Sequence, residues 1–254
     1  MTALALVASL LGWLAYRAGV ARLRTRGDSW PRGRVTAAAS GFAVAAAALA
    51  PPLSTHDELF PVHVVQHLLL GMVSPLLLAL AAPMTLALRA TGPAARARLL
   101  RLLHGRMARA LAAAPTVILL GVGGLYALYL TPLYGLADRS ELAHLLLHLH
   151  VVSAGALLSW FVVGVDPAPR PRSVGERLAV LLVAATGHAV LAKLLYAHDL
   201  PSGAAGDRAL GAQLLYYGGD LVEVLLAVVV MARWYAATGR AAARAARRPL
   251  PSDG

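Results

Sequence analysis

Histidines and carboxylates set in apolar sequence are the residues of this chain with chemical potential. His63 and His67 stand four apart, as do His144 and His148, with His150 two further on; His188, Lys193, Asp220 and Glu223 complete the set. Imidazole and carboxylate are ligands for copper, zinc and iron. Spacing i, i+4 puts two imidazoles on one side of a helix, which lets one helix supply two ligands to one metal. The same groups could relay protons or join helices by hydrogen bonds. Cysteine is absent, which removes thiolate clusters, disulfides and cysteine nucleophiles. Any metal must therefore be held by His, Met, Asp or Glu. Met72, five residues past His67, offers one thioether to monovalent copper.

The elements that must position these residues are membrane spans. Of 254 residues 59% are hydrophobic and 14% charged, whereas a soluble domain carries roughly a quarter charged residues. Apolar runs predict seven helices over 2–20, 35–51, 62–80, 110–130, 141–165, 177–197 and 211–235. That makes 1–235 one all-α transmembrane domain, without room for a soluble catalytic domain, and 236–254 a basic, Ala-rich and weakly ordered tail.

The first run has arginines after its apolar core and none before it, the reverse of a signal peptide, so it is expected to stay as a span. Arginine crowds alternate connections: Arg22, Arg24, Arg26, Arg32 and Arg34; Arg89, Arg96, Arg98, Arg101, Arg106 and Arg109; Arg170, Arg172 and Arg177; then Arg233, Arg240, Arg244, Arg247 and Arg248. The intervening connections carry Arg139 and Arg208, with Asp57, Glu58, Asp138, Glu141, Asp199 and Asp207. This fits seven spans with the N-terminus outside and the C-terminus in the cytoplasm of a bacterial cell membrane. The net charge of +11 then needs no nucleic acid. Residues 94–109, alternating arginine with leucine, predict a basic amphipathic helix on the cytoplasmic headgroups.

With this topology His67, His148, His188 and Asp220 fall in one layer, roughly 10 to 15 Å below the outer surface at 1.5 Å per residue. His150 is rotated about 160° from His148 on a regular helix. Asp220, after Gly218 and Gly219, ranks above Glu223 as ligand or proton acceptor; Glu223 divides between metal and an ion pair with Lys193. Pro75, four residues past Gly71, predicts a kink. Tyr126, Tyr129, Tyr134, Tyr196, Tyr216 and Tyr217 predict an aromatic belt near the outer ends. His56 and His198, each followed by Asp in an outer loop, could form an entry site but read first as solvated loop residues.

The third span reads His63-Val-Val-Gln66-His67, followed by Pro75, an Ala-Ala-Pro83 turn and Leu88-Arg89. This resembles the CtaG-type cytochrome c oxidase assembly factor family of integral membrane proteins. The likeness extends to His144 through His150 with Gly155 and Trp160, to Gly164-Val-Asp166-Pro167, to His188, and to Gly219-Asp220. It implies a seven-helix protein that helps to assemble a haem-copper oxidase by helping copper reach it. In the family pattern His144 and His150 match the fifth-span histidines, while helical geometry prefers His144 with His148. Asp220 stands where the family more often has Glu, a shorter reach for a ligand.

The function expected is a non-enzymatic assembly factor. His63, His67, His144, His150, His188 and Asp220 would hold copper for an oxidase subunit or another assembly factor, with His148, Glu223, Met72, Gln66 and Lys193 ranked lower as ligands or supports. The alternatives are a haem-binding redox protein with the same histidines as axial ligands, and an ion transporter using His188, Lys193, Asp220 and Glu223 as a relay.

Overall fold

The computed structural model describes residues 2–202 and 204–246; Met1, Gly203, tail residues 247–254, Arg247 and Arg248 among them, and the side chains of residues 2–5, 138, 245 and 246 lie outside the described set. The described chain is all-α, without a strand. Its helices are α1 (Thr2–Thr25), α2 (Arg32–Ala48), α3 (60–81), α4 (Pro83–Ala90), α5 (Pro93–Leu103), α6 (Arg106–Leu111), α7 (Ala114–Leu130), α8 (Leu133–Arg139), α9 (Glu141–Val163), α10 (Val174–Ala197) and α11 (Arg208–Ala246). Six stretches are long and apolar enough to cross a membrane, and α7 is a shorter apolar helix.

Several helix ends depart from the sequence expectation for local reasons. α1 continues past Val20 to Thr25 because its last turns carry arginines that keep their charge in water while the backbone stays helical. α9 stops at Val163, since Gly164 takes φ 56°, ψ 39° and its N–H closes on the Trp160 carbonyl. Ser140 and Ser173 accept from Ala143 N–H and Glu176 N–H and start α9 and α10. α11 runs on to Ala246, into the segment expected as a tail, through alanines and arginines of high helix propensity. The amphipathic segment becomes two exposed helices, α5 and α6.

Two wide turns interrupt otherwise regular spans. In α3 the π-type turn is Leu69–Val73, directly before Pro75, whose missing N–H cannot serve the Gly71 carbonyl four residues back. That carbonyl points at the bare Cα of Gly155 on α9, where an added Cβ would lie 1.8 Å from the oxygen. Helices in lipid gain no hydrophobic drive from meeting each other, so close backbone approach of this kind carries their association. In α7 the corresponding turn is Leu119–Gly123.

α3 ends at Ala82, which adopts the left-handed conformation at φ 54° before Pro83 opens α4. The break strands polar groups on both sides, and side chains take them up. Tyr16 of α1 donates to the Ala81 carbonyl at 2.9 Å. Asp166 accepts from Met84 N–H at 3.0 Å, Thr85 N–H at 2.7 Å and the Thr85 hydroxyl at 2.5 Å. The Gly164-to-Pro167 motif and the Ala-Ala-Pro83 turn are therefore two halves of one joint. α2 is fastened to α3 by Ser74, donating to the Gly41 carbonyl at 2.9 Å, and by Gln66, donating to the Ala48 carbonyl at 3.1 Å.

Candidate functional site

Away from the arginine-rich connections, five histidines are divided between two cavities on opposite sides of the α3–α9 crossing. The inner cavity, about 60 Å³, is enclosed by α3, α7, α9, α10 and α11 and lined by His67, Met72, His150, His188 and Glu223. His67, His188 and Glu223 are each more than nine-tenths buried. His188 Nδ1 lies 3.3 Å from Glu223 Oε1. A hydrogen bond from Nδ1–H to that carboxylate leaves the Nε2 lone pair free, as for histidines that bind metal through one ring nitrogen and are steadied through the other. His188 Nε2, Glu223 Oε2 and His67 Nδ1 are all buried without a hydrogen-bond partner. Gly219 gives the imidazole its room, since a Cβ there would sit 2.1 Å from His188 Cε1.

His150 lines the same cavity but is engaged elsewhere. Its Nε2 lies 3.0 Å from the Leu120 carbonyl, inside the wide turn of α7, where i+4 bonding is disrupted. Gly124 is the matching relief, with a Cβ position only 2.2 Å from that nitrogen.

His63, one turn above His67, packs edge-on against Tyr134 and Tyr129, with ring centroids at 5.2 Å and 6.1 Å. These two tyrosines, expected in an aromatic belt, are buried in the core around Phe60, whereas Tyr196 and Tyr217 are exposed. Tyr129 and Tyr134 face inward because α7 and α8 fold back over the start of α3.

The outer cavity, about 660 Å³, opens among α1, α2, α3 and α9. Its polar rim includes Asp57, Arg139, Glu141, His144 and His148. His144 Nε2 stands 3.5 Å from Asp57 Oδ2, and the His144 and His148 rings are 4.5 Å apart. The structure thus joins His144 with His148, as helical spacing predicted, and sends His150 to the other side. The expected single layer is divided: His148 belongs to the rim, and His67 and His188 to the core. The carboxylate that meets His188 is Glu223, ranked second from sequence; Asp220 is half-buried and outside that contact. Lys193 is exposed with its ammonium 5.3 Å over the Tyr216 ring, and makes no ion pair with Glu223.

Sequence reasoning passed over Asp57 as part of a diffuse acidic face. Its separation from His144 by about a third of the chain left no local signal, although its neighbour His56 is indeed exposed and bonded locally to the Pro52 carbonyl. Among the described residues no three His, Asp or Glu side chains converge closely enough to form a metal site by themselves. The arrangement is one of neighbouring pairs.

Residues 14–237 match the family described as cytochrome c oxidase caa3 assembly factor. The chain belongs to this family. Its curated relatives include uncharacterized proteins of Mycobacterium bovis and Mycobacterium tuberculosis, each 31% identical over 253 residues, and one of Mycobacterium leprae at 29%. The alignments cover 91% of this chain but 38% of each relative, so this caa3 assembly factor family member spans well under half the length of those proteins. No solved structure matches the chain.

Proposed function

We propose that this caa3 assembly factor family member works without catalysing a reaction, by holding copper as cargo in the inner pocket and passing it to a haem-copper oxidase subunit. The observation that carries this reading is that His67, His188 and Glu223, which line one cavity of about 60 Å³, each bury an atom without a hydrogen-bond partner: His67 Nδ1, His188 Nε2 and Glu223 Oε2. Burying such atoms without partners costs about 1–3 kcal/mol each, and a ligand that satisfies them offsets that cost. Two imidazoles and a carboxylate suit copper. An open set of pairs favours release over storage.

The pocket fits an ion or a few waters and falls far below the roughly 300 Å³ at which small-molecule and cofactor pockets begin, so the haem alternative draws no support from it. In the membrane we place seven spans, counting α7, whose 17 residues reach about 25 Å at 1.5 Å per residue. The arginine-rich connections then face the cytoplasm and the histidine half faces outward across a bacterial cell membrane.

The test is copper analysis beside the visible absorption spectrum, on detergent-purified parent and a His67→Ala, His188→Ala variant. The reading requires near-stoichiometric copper in the parent, lost in the variant, with no Soret band. A Soret band with little copper overturns it in favour of haem.

A further inference from the structure

The outer cavity is built for a larger occupant than the inner pocket. At about 660 Å³ against about 60 Å³, it falls within the roughly 300–1,000 Å³ of small-molecule sites. Its lining changes character with depth. The rim carries Asp57, Arg139, Glu141 and His144. Beyond Gln66 and His148 the walls are largely apolar, with Phe42 of α2, Leu70 and Leu78 of α3, and Leu149 and Val152 of α9; the Ser74 hydroxyl among them is already given to the Gly41 carbonyl. From Gln66 to Leu78 this section runs roughly 18 Å along α3 at 1.5 Å per residue. That is close to one leaflet's share of a hydrocarbon core about 30 Å thick.

The floor is closed by helices that meet through glycine. A Cβ on Gly12 of α1 would lie 2.5 Å from the Phe42 ring, and one on Gly41 of α2 would lie 2.9 Å from Leu78. Above the floor the walls are uncovered: Leu149 and Val152 line the cavity yet are 55% and 39% exposed. Protein interiors are close-packed and apolar surface is driven out of water, so an apolar chain suits this section. Gln66 is an independent sign of a ligand. It is 1% exposed, its amide nitrogen donates to the Ala48 carbonyl at 3.1 Å, and its oxygen has no hydrogen-bond partner among the described residues. It stands where the polar lining gives way to the apolar one, the depth at which lipid ester groups and the water they carry would meet an acceptor.

We propose that the outer cavity binds one zwitterionic phospholipid from the leaflet at the histidine end, with one acyl chain in the apolar section and the headgroup on the rim. Charge complementarity selects the headgroup. Arg139 offers a guanidinium to the phosphate, and Asp57 and Glu141 offer carboxylates to an ammonium group. An anionic lipid without the ammonium sets its phosphate against both carboxylates. Lipid occupancy here is independent of whether the inner pocket takes copper.

The experiment uses the full chain in detergent and a phosphatidylethanolamine with a photoactivatable diazirine at the end of one acyl chain, followed by peptide mapping of the label. Label should concentrate on the segments around Phe42, Leu78 and Val152. Unlabelled phosphatidylethanolamine should displace it, and phosphatidylglycerol should do so about tenfold less well, the worth of one charge-assisted hydrogen bond. Ala45→Trp, which fills the cavity, should abolish the label at those segments, and Arg139→Gln should weaken it about tenfold. Arg139 is an exposed rim side chain, so its variant carries the test if Ala45→Trp elutes as aggregate. Label spread evenly over the lipid-facing helices, displacement by phosphatidylglycerol as good as by phosphatidylethanolamine, or full labelling of Arg139→Gln overturns the lipid site and leaves the copper reading of the inner pocket standing.

Discussion

The two halves of the bundle treat buried polar groups in opposite ways. At the arginine-rich end several interruptions of helices are closed by side chains from other elements. Asp166 takes three hydrogen bonds from the start of α4. Arg172 donates to the Ala112 carbonyl at 2.8 Å and lies 4.0 Å over Phe161. Arg177 and Arg233 donate to the carbonyls of Val163 and Gly164 around the end of α9. Arg172 and Arg177 each keep one unpartnered Nε, but both guanidinium groups are bonded. At the histidine end, Gln66, His67, His188 and Glu223 each bury an atom that has no hydrogen-bond partner among the described residues. One end is built to hold the helices in register. The other carries local dissatisfaction where a ligand would relieve it.

The largest effect expected from this contrast is at Asp166. Asp166→Ala strands the N–H groups of Met84 and Thr85 where α4 begins, and the carboxylate is only 7% exposed. Hydrogen bonds to charged acceptors contribute about 1.5–3 kcal/mol each but share one geometry here, so the loss should be roughly 3 kcal/mol. Thermal unfolding in detergent should show it as a lower midpoint, with Asp166→Asn losing about half as much. A midpoint unchanged by Asp166→Ala would dissolve the contrast from the arginine side.

The histidine half should respond differently to removal of its polar groups. His188→Leu alone leaves Glu223 buried with no partner and should cost about 2 kcal/mol. Replacing both, His188→Leu with Glu223→Leu, should return stability to within about 1 kcal/mol of the parent or above it, because a buried ionisable pair is often matched by well-packed apolar groups. Oxidase maturation should nevertheless fail in the double variant. If the double variant is as unstable as the single one, the pair is a structural joint like Asp166 and the two halves are alike.

Much of this was legible in sequence, and the limits have physical causes. The all-α membrane class follows from composition, because 59% hydrophobic content leaves too little polar surface for water. The i, i+4 spacing of His144 and His148 gave their shared face, since a regular helix fixes rotation. The choice between Asp220 and Glu223 could not be made from depth along α11. It depends on rotation about that helix relative to α10, which the Gly219 contact with His188 sets. The role of His150 was hidden by the wide turn in α7, whose freed carbonyl no periodicity announces. Gly164-Val-Asp166-Pro167 was visible as a motif, but its partner, the Ala82–Pro83 break, lies some eighty residues earlier in the chain.

The smallest effect concerns charge that stays in water. In the connection between α10 and α11 Asp199 is paired with Arg208, and the hydrogen bond from that guanidinium holds the Asp199 carboxyl below its ordinary value of 3.8. A carboxylate lowered on folding contributes stability that is present above its unfolded pKa and lost as pH falls through the folded one. The contribution is therefore complete at pH 7 and fades only below the usual carboxylate range. Exposed pairs are screened by water and salt, and the Asp199 side chain is exposed, so Asp199→Asn should shift the unfolding midpoint at pH 7 barely beyond error. The small gap between parent and variant should close further at pH 3. This pair lies toward the histidine end, so it separates charge as such from burial. A large gap at pH 7 would mean that surface charge, rather than buried and unsatisfied donors, sets that half apart from the arginine-closed one.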